Sequence, residues 1–107
     1  MDDETSARLT LTELLAARKA GDYDRAITLG DRVWNMFGQS RDVAVARVVA
    51  TATVYSGISL FRTNRGAQAA KVFDRVITGY GDSSDPELQG IVKDARDMRR
   101  QCSEAQQ

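Results

Sequence analysis

A ten-residue segment occurs twice in this chain. Aligning Asp31-Arg32-Val33-Trp34-Asn35-Met36-Phe37-Gly38-Gln39-Ser40 with Asp74-Arg75-Val76-Ile77-Thr78-Gly79-Tyr80-Gly81-Asp82-Ser83 gives five identities in ten positions, at an offset of 43, the separation of Asp31 from Asp74. Self-similarity at a fixed period restricts the fold strongly, because each copy must be the same supersecondary unit. The offset holds outside that window: it carries Ala26 onto Ala69, Asp42 onto Asp85, Val45 onto Leu88, Val48-Val49 onto Ile91-Val92, Ala52 onto Ala95 and Lys19 onto Arg62.

Each period reads as two helices. Ala26, Ile27, Gly30, Val33, Trp34 and Phe37 occupy one helical face, and Ala69, Ala70, Phe73, Val76, Ile77 and Tyr80 repeat it. Gly21-Asp22 supplies a C′ glycine and then an N-cap, and Asn64 suits the left-handed position of the corresponding later turn. Asp85-Pro86-Glu87 reads as N-cap, N1 proline and first-turn acid of a last helix striped by Leu88, Ile91, Val92, Ala95 and Met98. Segment 43–61 is rich in β-branched residues, which favour strands. Its apolar positions Val45, Val48, Val49, Ala52, Tyr55 and Ile58 nevertheless keep the 3–4 spacing of a helix. The spacing predicts five helices, near 5–20, 23–37, 41–63, 67–80 and 86–103. Helix pairs stacked at a fixed period form an α-solenoid, so the expected class is all-α, a right-handed α-solenoid of two helix-turn-helix repeats plus a closing helix. With one proline and no Ser/Gly-rich linker, 1–107 is expected to be a single domain.

These features resemble the tetratricopeptide repeat family, in a long-period form with a Phe/Tyr-Gly-x-Ser turn. The second copy carries the resemblance best, with Gly57 and Leu60 on its first helix and Ala69, Phe73 and Val76 on its second. The first copy keeps Gly21-Asp22-Tyr23, Ala26 and Val33 but has Gly30 in place of the aromatic and Leu14 in place of the small residue. The resemblance implies a protein-binding module that uses the inner faces of the first helices. Those positions are Leu11, Leu15, Arg18 and Lys19 in the first copy, Thr51, Val54, Tyr55, Ile58, Phe61 and Arg62 in the second, and Met98 and Gln101 in the closing helix. The family's carboxylate-gripping version uses Lys and Asn where Leu11, Leu15, Val54 and Ile58 stand here, so an apolar peptide or amphipathic helix is the expected partner, with little salt dependence. The competing reading makes these side chains simply core.

Composition narrows the chemistry. The chain has 15 basic and 15 acidic residues, no histidine and one cysteine. Zero net charge argues against a nucleic-acid surface, and the absence of histidine removes the commonest general base and metal ligand. We therefore expect no enzyme, no cofactor and no metal site. Segment 81–85 lacks EF-hand spacing and reads as a turn with an N-cap. Lys19 and Arg62 end their helices, where cations suit the helix dipole and also offer an anion contact. Arg96, Arg99 and Arg100 alternate with Asp94, Asp97 and Glu104, the pattern of a solvated face, and Cys102 beside them reads as a surface thiol whose pKa nearby cations would lower. An acidic start, one cysteine and a longest uncharged run of 14 residues, Val48 to Phe61, predict a cytoplasmic chain with no membrane span. Two alternatives remain at this level. One is a homodimerisation module using the first helix, which has Leu9, Ala16 and Ala20 opposite Leu11, Leu14 and Leu15 and no polar cap before it; the other is a regulatory domain of a larger signalling protein.

Overall fold

Aspartates open four of the helices, and left-handed residues follow two of them. The computed structural model describes residues 2–105 and, among them, contains five α-helices and no strand. They are α1 (Asp3–Lys19), α2 (Tyr23–Phe37), α3 (Val43–Arg62), α4 (Gly66–Tyr80) and α5 (Pro86–Ala105). The carboxylates of Asp22, Asp42 and Asp85 accept backbone N–H bonds from Arg25, Ala44 and Leu88 at 3.2, 2.9 and 3.0 Å, closing the first turns of α2, α3 and α5. Asp2 does the same for α1 through Thr5 at 2.7 Å, so that helix is capped, against the sequence expectation. Among the described residues, Gly21 and Asn64, one period apart, have positive φ, at 81° and 66°, and each turns the chain back after a first helix.

The β-branched segment is helical throughout. Except for the buried Ser56 Oγ, which has no hydrogen-bond partner among the described residues, its Thr and Ser hydroxyls are absorbed by the helix itself: Thr51, Thr53 and Ser59 donate to the carbonyls of Arg47, Val49 and Tyr55 at 2.8, 2.7 and 3.0 Å. That is how Thr53 and Ser59, 1% and 0% exposed, sit in the core without an unmet donor. With mean hydropathy 1.5 over its best window, α3 is long and apolar enough to cross a membrane by length and composition. Here 61% of that window is buried in protein, since α3 packs against all four other helices.

The helices form two layers. α1 and α5 flank α3, α2 packs on α1 and α3, and α4 packs on α3 and α5. The shortest molecular dimension is 18 Å, about two helix diameters. Burial follows the period: Ala26 and Ala69, Val33 and Val76, and Ala52 and Ala95 are all 0% exposed. Side chains link α2 to α4 as well. Trp34 meets Tyr80 edge-to-face with centroids 6.2 Å apart, and Asp31 accepts from Arg75 at 3.1 Å. Asp74, the periodic equivalent of Asp31, pairs with Arg99 of α5 at 3.2 Å, so each aspartate reaches an arginine on the unit that follows.

Two departures from the sequence reading share one cause. Cys102 is 0% exposed rather than a surface thiol, and burial pushes its pKa up despite Arg99. The 43-residue offset carries Cys102 onto Ser59, itself fully buried. The periodicity of the core outweighs the charged neighbours that Cys102 has in sequence.

Candidate functional site

The inner layer, α1, α3 and α5, presents one row of residues from each helix. Thr51, Val54, Tyr55 and Ile58 of α3 face Ile91 and Met98 of α5 across a groove of about 330 Å³. Helical spacing brings them together, since 51, 54, 55 and 58 fall on one side of α3. Val54 is 8% exposed and belongs to the core, whereas Tyr55, Ile58, Ile91 and Met98 are half-buried and pack against it. The groove therefore has a fixed apolar floor with side chains still open to solvent.

The other expected residues are distributed around it. Leu11 lines an adjoining hollow with Arg8, Arg47 and Glu87, which shares Thr51 and Ile91 with the main groove. Leu15, Arg18, Lys19 and Arg62 converge with Tyr23 around a polar hollow of about 430 Å³ at the C-terminal ends of α1 and α3. The Arg18 guanidinium lies 4.8 Å from the centre of the Tyr55 ring, a cation–π contact that ties this basic end to the groove. Its Nε is buried with no hydrogen-bond partner among the described residues. Phe61 is separated from the rest. It lines a hollow at the α3–α4 turn with Asn64, Gly66, Ala67 and Ala105. Gln101 is exposed on α5.

Three groove residues were not among the expected site residues: Ile91, read only as part of the α5 stripe, and two acids. Asp94 and Asp97 line the α5 wall beside Met98, not a purely solvated face. The period would have found them, because the same offset that relates Tyr55 to Met98 relates Thr51 to Asp94 and Val54 to Asp97.

Segment 81–85 is structural. Arg47 donates from Nε and Nη2 to both oxygens of Asp85 at 3.0 and 2.5 Å, and Ser83 Oγ accepts from the Asp85 N–H at 3.1 Å. The Arg47 hydrogen bond and the Leu88 N–H lower the Asp85 pKa from 3.8 to about 2. A depressed folded-state pKa gives stability that is present above the ordinary value and is lost as pH falls through the folded one. Asp85→Asn is accordingly expected to destabilise at pH 5, with the difference from the parent shrinking as pH falls from about 4 to 2. Urea midpoints of both proteins at pH 5 and pH 2 check this; a difference that stays constant refutes it.

Among the described residues no group of three or more His, Cys, Asp or Glu is placed to hold a metal ion. No family model matches the chain, and comparison with curated proteins and with solved structures returned no match.

Proposed function

We propose that this chain is a tetratricopeptide-like, right-handed α-solenoid that binds another protein, without catalysis of its own, by seating an apolar peptide or amphipathic helix in the α3–α5 groove. The observation that carries the reading is the half-buried set of Tyr55, Ile58, Ile91 and Met98 around one concave space of about 330 Å³. A helix presenting anchors at i, i+3/i+4 and i+7 would desolvate such a groove. The solenoid part of the proposal is supported by the offset of 43 and by the burial that follows it across α1 to α5. The chemistry of the residues fits a cytoplasmic setting, with a single reduced cysteine.

Titration of the protein with a synthetic leucine-rich amphipathic helix, followed by methyl NMR, tests the groove. Ile58, Ile91 and Met98 should shift, while the exposed Leu9 and Met36, 50% and 64% accessible, should not. Tyr55→Ala should weaken binding by about 1–3 kcal/mol with helical content retained. Shifts centred on Leu9 and Met36, or indifference to Tyr55→Ala, would refute the groove. A second reading, self-association through α1, is favoured by the exposure of Leu9, and light scattering across concentration distinguishes it.

A further inference from the structure

We propose that the α3–α5 groove selects a partner helix whose apolar stripe carries lysine or arginine along one flank, seated against Asp94 and Asp97, and that this flank fixes the direction in which the helix lies. The proposal rests on the groove reading above and adds the chemistry of the occupant.

Acid lines the α5 side of the groove, and base lies beyond its α3 side, on α1. On the α5 side, Asp94 and Asp97 are three residues apart and therefore on one helical face, next to Met98. Asp94 is exposed and has no hydrogen bond or ion pair among the described residues. Asp97 pairs with Arg100 of its own helix, whose side chain is 64% exposed and can be displaced at little cost. On the α1 side, Arg18 lies against Tyr55, and Lys19 and Arg62 continue the basic end. The chain as a whole has a formal charge of zero, so this polarity is local to the groove rather than a bias of the molecule.

A helix laid on the apolar floor meets carboxylates along one flank and a cation along the other. Turning it end for end exchanges its flanks. A helix with a basic flank on one side only is thus complementary in one direction and opposed in the other. An acidic flank facing Asp94 and Asp97 adds like-charge repulsion to the loss of any pairing.

Three synthetic helices with the same leucine stripe, differing only in having Lys, Gln or Glu along one flank, test this by fluorescence anisotropy at low and moderate salt. The Lys and Glu helices should lie in opposite directions, read by a nitroxide at the peptide N-terminus that broadens the Met98 methyl with one helix and the Ile91 methyls with the other, and the Lys helix should bind about two- to fivefold more tightly, the scale of one part-exposed pair. Asp94→Asn with Asp97→Asn should remove the advantage of the Lys helix, Asp94→Lys should reverse their order, and Asp82→Asn, an exposed acid in the 81–85 turn, should change neither. Circular dichroism of each variant reports its helical content; if the double variant loses it, Asp94→Asn alone carries the comparison. Equal affinities for Lys and Glu helices that both fall with Tyr55→Ala would overturn the charge selection and leave the groove standing. Binding of no helix, or binding indifferent to Tyr55→Ala, would overturn both.

Discussion

Leucine at position 57 is expected to destabilise the protein by about 3 kcal/mol, the upper end of what overpacking a core costs. A Cβ at Gly57 would lie 2.6 Å from Cε1 and 2.8 Å from Cζ of Phe73, and Phe73 is fully buried with nowhere to retreat. Gly57 is needed for close approach. It has no positive φ, sits inside α3 and pays the entropic penalty of a helical glycine so that the α4 aromatic can lie against the α3 backbone. Urea unfolding of Gly57→Leu measures the cost; a midpoint equal to the parent's would mean that α3 and α4 do not meet there.

The converse substitution, Phe73→Ala, is expected to cost about 3–5 kcal/mol, because it empties the largest fully buried side chain in the structure. The two changes should not add. With Phe73 truncated, the leucine at 57 gains the space that the ring vacated, so the double variant should be less destabilised than the sum of the singles, by an amount a double-mutant cycle reads directly. Strict additivity would show that the two positions are not in contact. The first copy already exchanges large for small at these periodic positions, with Leu14 fully buried and Gly30 backed against α3, where a Cβ would collide with Ser56.

That exchange shows which parts of the molecule were legible in the sequence. Gly30 and Leu14 look like defects when the first copy is read alone, yet they keep the register of 43, since Leu14 and Ala17 are as buried as Gly57 and Leu60. Helix ends were legible because their signals are local: Asp22, Gly21, Asn64 and Asp85 act on the turn they occupy. Asp94 and Asp97 were hidden because charge alternation along α5 is read within one helix, whereas their position depends on the neighbouring α3. The contact of Arg18 with Tyr55 joins two helices and leaves no mark in either stripe. Phe61 falls away from Tyr55 because it lies in the last turn of α3, beside the Asn64 reversal, where the α3–α4 turn and the end of α5 surround it.

The position of α3 has a consequence for how the molecule comes apart. α1 and α5 have no close backbone approach to each other, and each is held by α3 and by one second-layer helix, α2 or α4. Either end pair is therefore expected to open, once the Trp34–Tyr80 and Asp31–Arg75 contacts between α2 and α4 part, while the opposite pair stays docked on α3, at less cost than unfolding the whole chain. Transient loss of α5 would uncover Cys102 and Val92, and transient loss of α1 would uncover Leu14, while the amides in the middle of α3 stay closed until the whole chain unfolds.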